Sequence, residues 1–272
     1  MRILVLGAEG MLGSVLMRWP NAYGTTRRYS NNPYLLTGID VTRFDDLRRA
    51  IDWSAPEVVI NCAGIVKSEC EKHERARVDA VNGDAPHVIA KLAGASGCRV
   101  VHISTDCVFD GTHGGRTEQD TPDAFDSYGR SKRDGELIDY GHCVTLRTSF
   151  IGRDPIRKRG LLEWLLAQKH DALGFTQMFW SGLSTHELAR AIECVIAHTS
   201  LSGLYHVSGP VISKADLLQT LVEAYDLPIQ IQRVDEPHIN RTLNGRKFND
   251  AADYSAPTWQ EMAKGLAGGL LE

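Results

Sequence analysis

No run in the 272-residue sequence approaches the about 20 consecutive apolar residues that a membrane-spanning helix requires. The apolar part of the opening segment, MRILVLG, is too short for the central region of a signal peptide. Basic residues are not in excess, since 30 Lys and Arg stand against 34 Asp and Glu. These absences weigh against a membrane partner and a nucleic-acid partner, and we expect a cytoplasmic protein.

The cysteines show neither a CxxC pair nor a spacing with histidine that would suit zinc. Several lie within apolar, strand-like runs, which is typical of buried free thiols in a reducing compartment. We therefore expect free thiols and no metal site. The six are Cys62, Cys70, Cys98, Cys107, Cys143 and Cys194.

Short apolar, β-branched runs alternate with longer helix-like stretches over the first 150 residues. Because these runs are continuously apolar, they predict a parallel sheet that is covered on both faces. The alternation indicates an α/β fold with a doubly wound parallel (Rossmann) sheet. The predicted strands are Ile3–Leu6, Ala22–Thr26, Val58–Asn61, Arg99–Ser104 and Val144–Arg147, and the predicted helices are Met11–Trp19, Thr42–Trp53, Val78–Ala95 and Ser127–Tyr140.

The pattern changes after residue 150. We assign residues 1–150 to the Rossmann domain and residues 151–272 mainly to a smaller C-terminal lobe, which we expect to bind the substrate. Ser213 is a plausible N-cap, with Asp216 in the first turn of its helix. The predicted elements are helices at Gly160–His170, Thr185–His198 and Ser213–Tyr225, and a strand at Gly203–Ser208 that is a candidate for returning to the main sheet.

Glycines recur directly after the first predicted strand, in the segment GAEGMLG. Gly7, Gly10 and Gly13 let the backbone turn tightly and approach a pyrophosphate, which the following helix binds through its free N–H groups. Together with Met11 and Leu12, they predict the cradle of a dinucleotide cofactor.

The end of the second predicted strand carries arginines where NAD-binding Rossmann proteins usually place an acid. Arg27 and Arg28 can hold a 2′-phosphate with charge-assisted hydrogen bonds, so the sequence favours NADP over NAD. A second basic run, from Arg153 to Arg159, is either a solvated loop or a contact to one small anionic ligand.

A YxxxK motif and a strand that ends in hydroxyls supply candidate catalytic residues. Tyr128 and Lys132 share one face of their predicted helix, and a nearby cation favours the phenolate of a tyrosine, whose free pKa is about 10. The preceding strand ends in Ser104, Thr105 and Asp106, at the edge of the sheet where open α/β folds bind ligands. A hydroxyl there can polarise a carbonyl for hydride attack.

Small residues follow the neighbouring strand at the same edge, in the segment NCAG, where Cys62, Ala63 and Gly64 would let a flat cofactor ring lie close.

In their order and spacing, the glycine motif, NCAG, STDCVFDG and YGRSK resemble the motifs of the extended short-chain dehydrogenases/reductases. The segments STDCVFDG and YGRSK are most similar to the sugar-nucleotide-binding branch typified by dTDP-4-dehydrorhamnose reductase. The resemblance implies reduction of a 4-keto-6-deoxy sugar attached to a nucleoside diphosphate, with NADPH or NADH as donor.

The resemblance also implies roles for single residues. Tyr128 would donate a proton to the sugar oxygen as hydride reaches the carbon. Lys132 would hold the nicotinamide ribose and lower the pKa of Tyr128. Thr105 would hydrogen-bond the substrate carbonyl or Tyr128, with Asp106 nearby in the substrate pocket.

The same resemblance implies further contacts to the cofactor and the substrate. A homodimer is an open possibility. The implied cofactor contacts are Gly7, Gly10, Met11 and Leu12 at the pyrophosphate, Asp40 and Val41 at the adenine, and Ala63, Gly64 and Ser104 elsewhere along the cofactor. Weaker matches, with a role in nucleotide-sugar recognition, are Trp164, Trp180, Ser181 and Arg241.

Cys107 stands where many relatives have an aromatic residue, which leaves the oxidoreductase class intact but the identity of the sugar and of the nucleotide open. Two alternative functions also stay open. One is a nucleotide-sugar epimerase or 4,6-dehydratase, although such dehydratases place a glutamate at the position of Cys107. Another is a non-catalytic NADP-binding subunit, similar to the regulatory β subunit of methionine adenosyltransferase. The combination of Thr105, Tyr128 and Lys132 favours an enzyme, because a pure binding subunit needs no proton donor.

Overall fold

The computed structural model describes residues 1–269. The strands are β1 (Ile3–Leu6), β2 (Ala22–Thr26), β3 (Leu35–Thr37), β4 (Val58–Asn61), β5 (Arg99–Ile103), β6 (Cys143–Arg147), β7 (Phe150–Ile151), β8 (Ala172–Phe175), β9 (Met178–Trp180), β10 (Leu183–Ser184), β11 (Gly203–His206), β12 (Ile212–Ser213), β13 (Ile231–Val234) and β14 (Ile239–Asn240). The α-helices are α1 (Met11–Leu16), α2 (Phe44–Ser54), α3 (Lys67–Cys70), α4 (Arg75–Asp79), α5 (Ala85–Ala95), α6 (Ser127–Asp134), α7 (Leu161–Leu166), α8 (Thr185–Ala197), α9 (Lys214–Ala224), α10 (Arg246–Ala252) and α11 (Trp259–Ala267).

A seven-stranded sheet lies at the centre, in the order β11-β6-β5-β4-β1-β2-β3. Every neighbouring pair in it is parallel. The strand order reverses at β1, since β2 and β3 extend to one side and β4, β5 and β6 to the other. This is the doubly wound arrangement, so the predicted fold class is confirmed. Ligands of such sheets bind at the carboxyl ends of the strands, at the point of reversal.

Helices cover both faces of the sheet, and successive residues of each strand face opposite cores. In β1, Ile3 and Val5 belong to a cluster that includes residues of α1 and α8. Leu4 and Leu6 belong to a second cluster with residues of α2 and α5. All four side chains are buried, which explains why the strands are continuously apolar in sequence.

The C-terminal part of the chain shares the main sheet. β11 pairs in parallel with β6, with Gly203 opposite Val144, so the returning strand is confirmed. Helix α8 packs against α1 and closes the same core. Ser213 caps α9 as predicted, because its hydroxyl accepts a hydrogen bond from the Asp216 N–H at 3.1 Å. The remaining strands after residue 150 form small sheets of two or three strands.

Several predicted helices differ in extent. The helix predicted at Ser127–Tyr140 ends at Asp134, where Gly135 packs against the main-chain carbonyl of Asn82. The helix before it is interrupted by a π-helical turn at Ala80–Asp84. Helices α1 and α7 each end after six residues, because a proline follows the first and a polar segment follows the second.

No helix within residues 1–269 is long and apolar enough to cross a membrane. The same described part of the chain contains no group of three or more His, Cys, Asp or Glu side chains arranged to hold a metal ion. The six cysteines are free thiols.

Candidate active site

The loop between β1 and α1 carries the glycine motif at the point where the strand order reverses. Gly7 has a φ of +82°, a conformation that favours glycine, and a Cβ there would lie 2.9 Å from the Ala63 nitrogen. A Cβ at Gly13 would collide with the Gly7 carbonyl oxygen. Gly10 precedes α1 with extended backbone and no side chain over the helix start. These glycines leave a cradle that fits the pyrophosphate of a dinucleotide.

A cleft opens at this loop. It contains twelve of the residues predicted as cofactor contacts, but not Ser104, Tyr128 or Lys132. The twelve are Gly7, Gly10, Met11, Leu12, Gly13, Arg27, Arg28, Asp40, Val41, Cys62, Ala63 and Gly64. Residues that were not predicted as cofactor contacts complete the lining, among them Glu9, Thr26, Glu69, His73, Arg77, Phe150, Asp154, Arg157 and Arg159.

Arginines from distant parts of the chain meet in this cleft. Arg27 and Arg28 follow β2, and Arg157 reaches the same cleft from the loop before α7. Burial lowers the pKa of Arg157, and the charges of Arg159, Arg27 and Arg28 lower it further. Since like charges this close repel each other, the cluster is suited to an anionic group. Of the two interpretations left open for the basic run, its position favours the contact to an anion.

Two carboxylates of the cleft are held by neighbouring side chains. Glu9 accepts a hydrogen bond from Thr26 Oγ1 at 2.6 Å. Asp40 accepts hydrogen bonds from Arg77 Nη2 at 2.7 Å and from the Thr42 hydroxyl at 2.8 Å. Burial opposes the ionisation of Asp40, yet these hydrogen bonds lower its pKa to about 2. Asp40 is therefore a fixed carboxylate at neutral pH.

The segment after β5 is fixed by hydrogen bonds around Thr105. Its Oγ1 accepts from the Cys107 N–H at 3.1 Å and donates to Asp106 Oδ1 at 3.2 Å. Burial raises the pKa of Asp106, although the positive charge of Arg241 opposes that shift. A hydroxyl and a buried carboxyl group are thereby held at the carboxyl edge of the sheet.

Tyr128 lies in the first turn of α6, beside this segment. Gly129 permits the close approach, because a Cβ there would collide with the Cys107 carbonyl oxygen. Burial raises the pKa of Tyr128, the Cys107 thiol raises it further, and a hydrogen bond with Thr105 opposes the shift. The expected lowering by Lys132 is therefore wrong for this arrangement, since burial dominates. The phenol keeps its proton at neutral pH.

Lys132 connects the catalytic candidates to the cleft. Its Nζ donates to the Ile103 carbonyl oxygen at 2.7 Å, at the end of β5. Burial lowers the pKa of Lys132 to about 8, while Glu136 and Cys62 raise it. Because Cys62 lines the cleft, the ammonium lies next to the predicted cofactor contacts.

Asn82 gives no motif in the sequence, and the π-helical turn brings it to the site. Its amide accepts from the Ile65 N–H at 2.8 Å and donates to the Ile65 carbonyl at 3.0 Å. It also donates to Ser131 Oγ at 3.2 Å, on α6. Asn82 thus ties the segment after β4 to the helix that carries Tyr128. A π-helical turn at such a position is common at functional sites.

Ser104 takes part in a buried network rather than in the lining of the cleft. Its hydroxyl donates to Glu136 Oε1 at 2.8 Å. Glu136 in turn forms two hydrogen bonds of 2.7 Å with the guanidinium of Arg147. All three side chains are buried. Successive residues at a strand end face opposite sides, and Ser104 accordingly bonds into this buried network whereas Thr105 bonds within the segment beside Tyr128.

The residues predicted to recognise a nucleotide sugar lie in different environments. Trp180 is buried and lines a small pocket that adjoins the cleft. Ser181 Oγ accepts a main-chain N–H at 2.9 Å, within the protein interior. Arg241 donates to the Phe109 carbonyl at 2.6 Å and so supports the loop that follows Asp106. Trp164 is 43% exposed and lines neither the cleft nor the adjoining pocket.

Thiol chemistry is disfavoured at the site. Burial raises the pKa of both Cys62 and Cys107 to about 12. Both thiols are therefore protonated at neutral pH and are poor nucleophiles and bases. Cys107 in particular lacks the basicity needed to remove a proton next to a sugar carbonyl.

The fold and site define an extended short-chain dehydrogenase/reductase, with a glycine cradle at the switch point of the sheet and a Tyr–Lys pair beside a strand-end threonine. The chain belongs to the family described as the RmlD substrate binding domain, which matches residues 1–266. The resemblance inferred from the motifs is thereby confirmed.

Two curated relatives and one solved structure illustrate the similarity. The dTDP-4-dehydrorhamnose reductase of Burkholderia thailandensis is 30% identical over 222 residues, which cover 76% of this chain and 72% of that protein. The dTDP-4-dehydrorhamnose reductase of Aggregatibacter actinomycetemcomitans is 26% identical over 290 residues, with 97% and 98% coverage. A dTDP-4-dehydrorhamnose reductase of Bacillus anthracis, solved with NADP, shares the fold with a TM-score of 0.82, at 22% identity and 99% coverage of each chain.

Proposed function

We propose that the protein is an NADPH-dependent reductase of a nucleotide-activated 4-keto-6-deoxy sugar, with dTDP-4-dehydrorhamnose as the leading substrate. The observation that carries this proposal is the convergence of Thr105, Tyr128 and Lys132 next to the glycine cradle. The names of the relatives support the substrate class, since both curated relatives act on dTDP-4-dehydrorhamnose.

When bound, NADPH supplies the hydride that reduces the sugar carbonyl. The phenol of Tyr128 donates the proton that the carbonyl oxygen requires, and its raised pKa keeps that proton in place until the oxygen becomes basic. The Thr105 hydroxyl, which donates to Asp106 in this structure, would instead donate its one proton to the carbonyl oxygen when substrate is bound and so polarise the carbonyl. Lys132 would hold the cofactor ribose from its position at the end of β5, beside Cys62.

The cleft residues divide the binding of NADPH among them. Gly7, Gly10 and Gly13 admit the pyrophosphate at the start of α1. The cluster of Arg27, Arg28 and Arg157 would hold the 2′-phosphate. Asp40 and Val41 would contact the adenine, and Cys62, Ala63 and Gly64 would lie along the cofactor.

The substrate-binding residues come mainly from residues 151–272, with Trp180 and Arg241 close to the site. The six free cysteines support a reducing compartment such as the cytoplasm as the place of action.

A dehydratase function is disfavoured by Cys107. Its raised pKa leaves the thiol protonated, so there is no base at the position where dehydratases of this fold carry glutamate.

The test follows NADPH absorbance with dTDP-4-dehydrorhamnose and purified protein. We expect one NADPH to be consumed for each sugar reduced, with no turnover when cofactor is omitted. In a parallel reaction, dTDP-glucose without added cofactor should give no 4-keto-6-deoxy product. Catalytic formation of that product would identify a dehydratase, and the absence of turnover in both reactions would favour a binding subunit.

A further inference from the structure

Lys214 is a second lysine near the catalytic segment, and no motif marks it in the sequence. It is the first residue of α9, directly after the N-cap Ser213. Its side chain lines the small pocket that also contains Trp180, Phe150 and Met11. Phe150 and Met11 line the cofactor cleft as well, so the pocket opens off the cleft next to the start of α1.

The Lys214 ammonium lies 4.1 Å from the centre of the Trp180 ring, a cation–π contact. No hydrogen bond or ion pair reaches its Nζ from any of residues 1–269. Lys132 and Lys247 differ in this respect. Lys132 donates to the Ile103 carbonyl at 2.7 Å, and Lys247, which stacks on a tyrosine ring, donates to a main-chain carbonyl at 2.7 Å.

This position is unfavourable for a cation. Burial lowers the pKa of Lys214 to about 8, although the nearby Asp106 and Cys107 side chains raise it. The N-terminus of a helix also repels positive charge. A methionine or leucine would fill the space beside Trp180 without these penalties. The ammonium therefore has no structural purpose that the fold explains.

The charge of Lys214 acts on the catalytic end of the site. Asp106 follows Thr105 directly, and its carboxyl group interacts electrostatically with Lys214 without forming an ion pair. The ammonium thus acts on the catalytic segment by its charge, while within the described residues its Nζ has no hydrogen-bond acceptor of its own in the pocket. A hydroxyl oxygen of a bound ligand would supply such an acceptor.

We propose that Lys214 is a specificity-determining residue that donates a hydrogen bond to a hydroxyl oxygen of the substrate sugar, from the pocket beside Trp180. This inference rests on the proposed function and deepens it, since it names a contact to the sugar rather than to the nucleotide. The Trp180 ring holds the Lys214 ammonium through the cation–π contact, which links a residue expected at the substrate to the proposed donor.

The test compares the binding of dTDP-rhamnose, the product expected from dTDP-4-dehydrorhamnose, with that of dTDP alone. Calorimetric titrations use the NADP-loaded wild type, Lys214→Met and Lys247→Met. Methionine keeps the unbranched stem against Trp180 and removes only the charge. Lys247→Met is the matched control, because it removes a lysine from an aromatic ring outside the cleft.

We expect Lys214→Met to weaken the affinity for dTDP-rhamnose about ten- to hundredfold, which is the range of one hydrogen bond to a charged group. The affinity for dTDP should stay within about twofold of the wild-type value. Lys247→Met should change neither. An equal loss of affinity for dTDP would show that Lys214 binds the diphosphate, and unchanged affinity for both ligands would show that it binds neither. Either result overturns the inference.

Failure of the proposed function has a different signature. If the wild type binds neither dTDP-rhamnose nor dTDP, the substrate class is wrong and the inference falls with it. If the wild type binds both ligands and only the Lys214→Met comparison fails, the proposed function stands without this contact. A melting scan of each variant completes the set, because a structural role for Lys214 predicts a lower Tm in Lys214→Met, whereas relief of a buried charge predicts an equal or higher one.

Discussion

Arg147 and Glu136 form an ion pair with two 2.7 Å hydrogen bonds, and their side chains are only 4% and 5% exposed. The pair joins the end of β6 to the segment that follows α6. Ser104, at the end of β5, donates to the same carboxylate, and the Arg147 guanidinium lies 5.2 Å from the Phe109 ring centre. The segment that presents Thr105 is therefore held from beneath by this pair.

We expect Arg147→Met to lower the free energy of unfolding by about 3–5 kcal/mol, because it leaves the Glu136 carboxylate buried without its partner. The double variant Glu136→Met/Arg147→Met should lose less of the free energy of unfolding, because it removes both charges and leaves neither buried without a partner. Urea unfolding of the wild type and of these two variants gives the comparison. A single variant as stable as the wild type would mean that water reaches the pair.

Arg157→Ala should weaken the affinity for NADPH about ten- to hundredfold, because one charged hydrogen bond to the 2′-phosphate is lost. The affinity for NADH should stay nearly unchanged. Arg27→Ala should behave in the same way. Arg153→Ala is the control from the same loop, since its guanidinium is already paired with Glu163 at 2.8 Å. Cofactor fluorescence titrations measure both affinities. Equal losses for NADPH and NADH would place Arg157 away from the 2′-phosphate.

Tyr128→Phe should fold normally and bind NADPH, yet lose about 10²–10⁴-fold in kcat, the usual contribution of general acid catalysis. The reason is that phenylalanine keeps the ring in its place and removes only the proton donor. Single-turnover reduction of dTDP-4-dehydrorhamnose measures the loss. Wild-type rates in this variant would require another proton donor.

The stability of the protein should depend on pH through Lys214. Its pKa is about 8 in the folded chain, below the value of about 10.5 expected when unfolded, so the unfolded state binds more protons between these values. Stability contributed by this group therefore rises as pH increases from 8. The Lys214→Met variant lacks this titrating group, so only the wild type gains stability from it as the pH rises. The difference in unfolding free energy that favours the variant should therefore shrink by about 2 kcal/mol between pH 7 and pH 9.5. Urea unfolding at both pH values checks this, and a constant difference would contradict a buried charge.

The sequence was informative where one local requirement fixes the structure. The strand before Gly7 must be buried on both faces, and the loop after it admits only glycine at Gly7 and Gly13, so strand, cradle and helix could be predicted together. The Ser213 cap is equally local. Helix ends were less predictable, because the end of α6 depends on Gly135 meeting Asn82 from another helix.

The parts that could not be predicted depend on contacts between distant segments. Arg157 joins Arg27 only because the loop before α7 folds over the first strands. The shift in the Tyr128 pKa follows from burial by the segment of Cys107, which outweighs a cation four residues away. In the sequence, Lys214 has the features of an ordinary residue in the first turn of a helix. Only the structure shows that it lines the pocket beside Trp180.

The position of β11 at the edge of the main sheet also has a consequence for how the chain folds as it is synthesised. β6 leaves the ribosome more than fifty residues before β11, its neighbour in the sheet. During that interval the edge of β6 lacks its partner strand, and α8 has not yet covered the core beside α1. Unpaired strand edges and exposed apolar faces are aggregation-prone. A nascent chain that stalls before residue 206 should therefore depend on chaperones, whereas one that has passed this residue can close its sheet.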